Sequence, residues 1–215
     1  NPPTGTGGHS GIVEYFVGTG HYHELWVLPV YRHMFAQKRH LMSLPGSPTF
    51  DQRVEMCRLA FERQSSNLCL VEVMRLEEEL FQEKLLALGQ GATEKQKSKV
   101  RVMTYDVLRR VKADHPAVEF SFVLGMDAYL DLRRGKWAHS EELLASLTFV
   151  VVARHGVLPP AEQVPQEVSV HHLPDLTGVS STALRNTDRK EELSEPSVLD
   201  EQVLEYIRRE KLYCY

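Results

Sequence analysis

Cysteine is scarce in this chain: three among 215 residues, Cys57, Cys69 and Cys214. They stand in no metal-type or Cys-x-x-Cys spacing, and an odd number builds no closed disulfide framework, so a reducing intracellular compartment, the cytoplasm, fits best. Long apolar runs are missing as well. None approaches the roughly 18 residues that span a bilayer, and no signal-peptide pattern opens the sequence, so no membrane partner is expected. Neither sign of charge dominates, with 25 Lys and Arg against 29 Asp and Glu, which removes any general electrostatic reason to bind nucleic acid. Three chemical signatures are absent too. No Gly-Lys-Ser/Thr phosphate loop occurs, Ser180 lies in no Gly-x-Ser-x-Gly turn, and the pairs His21/His23 and His171/His172 lack zinc spacing; no protein metal ligands are expected.

What is present is a regular alternation. Apolar strand patterns fall at Glu24 to Val30, Asn67 to Met74, Phe120 to Leu124, Leu147 to Ala153 and Val168 to Leu173. Between them run helical patterns from Gly11, from Thr49 or Asp51 to Phe61, from Leu76, from Met103 to Val111, around Leu132 and Ser140 to Leu144, and a last one over Asp200 to Glu210. Leu147 to Ala153 is continuously apolar, as in a strand covered on both faces of a parallel sheet. The order predicts an α/β fold with a doubly wound, mostly parallel, Rossmann-like sheet, in a single domain spanning 1–215. The chain starts inside a loop without an initiator Met, so the first strand is expected upstream. The stretch from Leu76 to Lys99, rich in Glu, Lys and Gln around Gly89-Gln90-Gly91, reads as a surface helix and charged loop without a functional role.

Three features at strand ends suit phosphate. The opening stretch Asn1 to Gly11 is stiffened by Pro2 and Pro3 and loosened by Gly5, Gly7 and Gly8. Its glycines would let backbone amides approach an anion at the start of a helix, where the dipole is positive, with His9 as an added donor. A plain surface loop is the competing reading. The segment Tyr31 to His40 leaves a buried strand and is strongly basic, carrying Arg32, Lys38 and Arg39, although a solvated loop has the same composition. Ser180, Ser181 and Thr182 open a helix with Arg185 one turn on, which serves either as an anion grip or as a capped helix start. Gly125 and Asp127 follow the strand at Phe120 to Leu124, a spacing suited to holding ribose hydroxyls. Trp137 stands among Arg133, Arg134 and Lys136 and can stack on a flat ring or pack on the sheet.

Taken in order, these segments resemble the nicotinate/nicotinamide mononucleotide adenylyltransferase family of the His-motif nucleotidyltransferases, over nearly the full length. Asn1-Pro2 is similar to the tail of the family's Gly-Gly-Ser/Thr-Phe-Asp/Asn-Pro motif, and Thr6-Gly7-Gly8-His9 to its His/Thr-x-Gly-His element. The distance from Pro2 to His9 is about two residues longer than the family's, which makes Thr4 the other candidate for the Thr position. Phe122 to Asp127 is similar to the family's strand-Gly-x-Asp, Val179 to Arg185 to its Ile-Ser-x-Thr-x-Ile-Arg, and Val203 to Tyr213 to its terminal helix. Thr104 lies in a looser match to a Ser-Tyr-Thr segment.

The resemblance implies joining of ATP to a pyridine mononucleotide with release of pyrophosphate. His9 and Thr6 would act at the α-phosphate, Lys38 at the attacking phosphate and Arg185 at the departing pyrophosphate. Gly7, Gly8, Gly125, Asp127, Ser180, Ser181 and Thr182 would hold the nucleotide, and Trp137 and Thr104 the acceptor. Mg²⁺ would arrive bound mainly through the ATP phosphates. A phosphopantetheine or CTP-dependent relative, and a homologue that binds nucleotide without catalysis, are the alternatives. Sequence leaves the nicotinate-versus-nicotinamide preference open, and homo-oligomerisation too.

Overall fold

The computed structural model describes residues 2–33, 40, 46–154, 168–173, 176 and 195–214. They fall into two compact units, one of Asn1–Val102 with Val179–Tyr215 and one of Met103–Gly178.

In the first unit the elements are α1 (His9–Thr19), β1 (Glu24–Val27), α2 (Phe50–Phe61), β2 (Leu70–Val73), α3 (Leu76–Ala87), α4 (Glu94–Lys97) and α8 (Glu201–Arg209). β1 and β2 pair in parallel with Glu24 opposite Leu70 and Val27 opposite Val73, so the chain between them is a crossover that carries α2. β2 alternates strictly: Val71 and Val73 are buried while Leu70 and Glu72 face out, as period-two side chains on a half-covered sheet must. α2 begins at a reciprocal cap in which the Thr49 hydroxyl accepts from the Gln52 amide at 3.2 Å and Gln52 Oε1 accepts from the Thr49 amide at 2.9 Å. Thr49 is therefore the cap. Asp51 lies in the first turn and pairs with Arg75 at 2.6 Å.

The core of this unit forms where α2 and α8 meet the sheet. Met56, Ala60, Phe61, Val71, Val203, Leu204 and Ile207 are among its buried members, with Val13, Val17, Leu25 and Val27 packed around them. Asp200 caps α8, accepting from the Gln202 amide at 3.0 Å, and pairs with Arg63.

The second unit contains α5 (Thr104–Asp114), β3 (Ser121–Gly125), α6 (Met126–Arg133), α7 (Ser140–Ser146), β4 (Thr148–Arg154) and β5 (Ser169–Leu173). Its sheet has the order β3-β4-β5 with every pairing parallel, Ser121 opposite Thr148 and Val150 opposite Ser169. The central strand β4 is buried without interruption from Phe149 to Ala153, as its unbroken apolar run predicts. Tyr129, Leu132 and Leu143 from the helices close over it. The mixed α/β architecture with parallel sheets is the fold class read from the sequence. Among the described residues no helix is long and apolar enough to cross a membrane.

Ile207 is 2% exposed at the centre of the first core. Ile207→Ala should lower the free energy of unfolding by about 2–5 kcal/mol, the range for emptying a tightly packed aliphatic site. Glu205→Ala, on the exposed face of the same helix, should change it by less than about 0.5 kcal/mol. Urea denaturation of the two variants beside the wild type checks the contrast.

Candidate functional site

The opening loop is held by its own backbone. The Gly5 amide donates to the Val198 carbonyl at 2.9 Å, Thr6 to Pro196 at 3.0 Å and Gly7 to Ser197 at 2.9 Å. The Gly8 amide turns inward to the Gly5 carbonyl at 2.9 Å, Ser10 donates to Thr4 at 3.1 Å, and Ile12 to Gly8 at 3.1 Å. The amides of Gly7 and Gly8, expected to face an anion, are thus taken by protein carbonyls. The cause is the neighbouring turn at 195–199, whose carbonyls lie within reach of a loop long enough to fold onto them, and a buried amide takes the acceptor at hand. Gly5, Gly8 and Gly11 also stand where a side chain would not fit. A Cβ on Gly5 would collide with the Pro196 carbonyl, one on Gly8 with the Thr4 hydroxyl, and one on Gly11 with the Thr6 carbonyl.

Thr4, only 1% exposed, does for His9 what the sequence left between two threonines. Its hydroxyl lies 2.7 Å from His9 Nδ1 and accepts from the His9 amide at 2.7 Å. Its own amide donates to Nδ1 at 3.1 Å. A backbone N–H can only donate, so Nδ1 must be an acceptor. The neutral imidazole then carries its proton on Nε2, and that nitrogen is the ring's donor. Thr6, in contrast, is exposed and its hydroxyl reaches the Pro196 carbonyl at 3.4 Å. Within the loop, the partner of the imidazole is Thr4.

Segments of the second unit that the sequence singled out separately come together. Gly125 ends β3 and caps α6, with open space where a Cβ would stand, and Asp127 is exposed in the first turn of α6. Close approach to that backbone beside a carboxylate is therefore open. Trp137 is half-buried against the unit's core, and its carbonyl accepts from Ser140 Oγ at 2.7 Å. Thr104 begins α5, whose next residue, Tyr105, stacks on His139 with ring centroids 4.3 Å apart and planes 21° apart. That stack ties the Thr104 turn to the Trp137 turn. His139 holds a left-handed backbone at φ 60°, uncommon for a residue with a side chain. Sequence reading missed Tyr105 and His139; an aromatic and an imidazole beside two suspected contacts were the available signal. Lys38, Ser180, Ser181, Thr182 and Arg185 lie outside the described residues.

Two parallel sheets, a Gly-rich loop leading into a helix with an oriented imidazole donor, and a strand ending in Gly-x-Asp define an α/β nucleotidyltransferase. Residues 6–187 match the cytidylyltransferase-like family. A probable nicotinate-nucleotide adenylyltransferase of Bacillus cereus (strain Q1) is 30% identical over 191 residues, covering 88% of this chain and 82% of the relative. One from Anaeromyxobacter dehalogenans (strain 2CP-1 / ATCC BAA-258) is 28% identical, covering 88% and 80%. Among solved structures, Plasmodium falciparum nicotinic acid mononucleotide adenylyltransferase complexed with APC shares the fold, with a TM-score of 0.63 at 18% identity over 96% of this chain and 90% of the other. The chain belongs to the cytidylyltransferase-like family and, within it, to the nicotinate/nicotinamide mononucleotide adenylyltransferases.

The tautomer is directly measurable. Imidazole nitrogen NMR at a pH where His9 is neutral should show the Nε2–H form; an even mixture of the two tautomers would contradict the geometry. Gly8→Ala, which drives a methyl into the Thr4 hydroxyl, should cost about 1–3 kcal/mol of stability in urea and erode that tautomer preference.

Proposed function

We propose that the chain transfers the adenylyl group of ATP to the 5′-phosphate of a nicotinate or nicotinamide mononucleotide, releasing pyrophosphate and a dinucleotide. The reading is supported by family membership and rests on one observation: Thr4 fixes the His9 imidazole at the start of α1 with Nε2–H as its donor. The acceptor phosphate attacks the α-phosphorus in line, the bond to the bridging oxygen of pyrophosphate breaks, and no protein nucleophile is needed. Catalysis comes from positioning two polyanions and from donors aimed at the charge that develops on the α-phosphate oxygens.

His9 donates to an α-phosphate oxygen. Lys38 orients the attacking phosphate, and Ser180, Ser181, Thr182 and Arg185 take the departing pyrophosphate. Gly125 and Asp127 receive the adenosine ribose, while Trp137, with Thr104 nearby, takes the pyridine ring. Among the described residues no three His, Cys, Asp or Glu stand together as a metal cage. Mg²⁺ would be brought by the triphosphate and would supply charge neutralisation there. The chain works as one nucleotidyltransferase domain, in the cytoplasm.

A second reading has one observation in its favour. The amides of Gly5, Thr6 and Gly7 are already occupied, which suits a homologue that binds nucleotide without transferring it. The two separate cleanly. With Mg-ATP and nicotinate or nicotinamide mononucleotide, pyrophosphate release supports transfer; tight dinucleotide binding with no release under either acceptor supports the second reading. Phosphopantetheine and CTP with an alcohol phosphate serve as competing substrates in the same assay. If transfer is the activity, His9→Ala should lower turnover at least about 10²-fold, the order for losing one transition-state donor, in a chain that still unfolds cooperatively although it has lost the two Thr4 bonds to the ring. Near-normal turnover in that variant would remove His9 from the mechanism.

A further inference from the structure

Trp137 stands in the connection between α6 and α7, bracketed by two residues with left-handed backbones, Gly135 at φ 70° and His139 at φ 60°. Glycine takes that conformation without steric penalty, and here it ends α6: its amide donates to the Leu132 carbonyl at 3.0 Å and the Lys136 amide to the Asp131 carbonyl at 3.1 Å. His139 has no such excuse. Glycine or asparagine would hold the same backbone with less strain, so what histidine adds at this position is its ring.

That ring has two partners. Its face stacks on Tyr105 of α5, with centroids 4.3 Å apart and planes 21° apart. Its Nδ1 lies 3.1 Å from Glu142 Oε1, but both members of that pair are exposed, where such contacts contribute little. The stack is the tie that reaches beyond the turn. Strained backbone persists where surrounding contacts over-determine it, and it gathers at ligand clamps.

Trp137 is coupled to this clamp at close range. Ser140 Oγ donates to the Trp137 carbonyl at 2.7 Å, and the Leu143 amide donates to the His139 carbonyl at 2.9 Å, so the chain from Trp137 to His139 is fastened to the first turn of α7. On the other side, Lys136 pairs with Asp131 of α6 at 2.6 Å. Trp137 itself packs on the core of the second unit and stays partly accessible. Partial packing leaves the indole a ligand-facing surface, and the clamp limits how far that surface can turn.

We propose that His139 and Tyr105 are positioning residues for Trp137: their stack fastens the 134–139 connection to α5 and so sets the plane that the tryptophan presents to the pyridine ring of the acceptor. This rests on the proposed role of Trp137 in receiving that ring. The residues concerned all lie in the second unit, on α5, α6, α7 or the connection between the last two. A platform that must be ordered when its ligand arrives loses affinity, and one fixed beforehand does not. The pyridine ring takes no part in the bonds made and broken, so loss of the clamp acts on binding of the acceptor and leaves turnover at saturation alone.

The test measures KM for the mononucleotide, KM for ATP and kcat in the wild type, His139→Gly, Tyr105→Leu and Tyr105→Phe. It also measures the time-resolved fluorescence anisotropy of Trp137 in each, with Trp26 on β1, the other tryptophan, replaced by Phe. His139→Gly removes the ring and relaxes the backbone; Tyr105→Leu removes the stack from the other side; Tyr105→Phe keeps it. His139→Gly and Tyr105→Leu should each raise KM for the mononucleotide about tenfold, the size of one aromatic pair, with KM for ATP and kcat within about twofold. Both should enlarge the fast component of the Trp137 anisotropy decay, and Tyr105→Phe should match the wild type in every measurement. In His139→Gly the thermal midpoint should move by less than about 3 °C, because the relaxed backbone offsets the lost stack; a histidine with a structural part alone would instead lower the midpoint and leave the acceptor's KM in step with that of ATP. Equal changes in both KM values, or an anisotropy decay unchanged in His139→Gly and Tyr105→Leu, overturns the inference while dinucleotide formation by the wild type leaves the substrate assignment standing. A wild type that forms no dinucleotide sinks that assignment and the inference with it.

Discussion

The amides of the opening loop from Thr4 to Ser10 are all answered within the protein, and the placement of His9 follows from that arrangement. Three consecutive amides, from Gly5 to Gly7, reach carbonyls of residues 196–198, almost the full length of the chain away. Those carbonyls belong to the turn that leads into α8, which is anchored through Asp200 and the core residues Val203, Leu204 and Ile207. The loop is thus tied through the unit's main core to the crossover sheet. With the loop pinned, Thr4 is buried and its amide and hydroxyl both meet the imidazole. Each such bond contributes only about 0.5–1.5 kcal/mol net. Their joint effect on which ring nitrogen carries the proton is larger in consequence than in energy, because a tautomer decides whether a donor or an acceptor faces outward.

Close packing explains the glycines better than conformational freedom does. Gly5, Gly8 and Gly11 all stand where a Cβ would strike a neighbouring atom of the same tether or of the Thr4 side chain. A loop with larger residues at these positions could not lie against the 195–199 turn. Thr4 would then lose its burial and with it the fixed geometry around Nδ1.

The sequence revealed the alternation of elements and the burial of β4 because both rest on hydrophobic periodicity, which is local. Val71 and Val73 against Leu70 and Glu72 alternate as a half-covered strand must, and Phe149 to Ala153 run unbroken as a central strand must. His9, Gly125 and Asp127 were singled out through short motifs at strand ends. Thr4 was weighed against Thr6 without resolution, because the choice depends on how a loop folds back on carbonyls nearly two hundred residues later. Arg53 and Glu77 gave no signal at all. The tertiary path of Val30 and Tyr31, whose backbone groups they hydrogen-bond, is what distinguishes them. Trp137 and Thr104 were named one at a time; the Tyr105–His139 stack that relates their turns joins residues over thirty apart in sequence.

The occupied amides also bear on how the proposed chemistry would be shared out. In many phosphate loops the backbone supplies the charge stabilisation and side chains refine it. Here the amides of Gly5 to Gly8 donate to protein carbonyls, so in the proposed reaction the stabilisation of the α-phosphate would fall to side chains, with the Nε2–H of His9 foremost. Side-chain donors carry conformational entropy that backbone donors do not, and their efficiency depends on being held in place before the substrate arrives. That requirement accounts for the support around the imidazole: two bonds from Thr4 on one ring nitrogen. The tethered loop offers a rigid frame on which the imidazole is aimed, in place of a ready-made amide cradle.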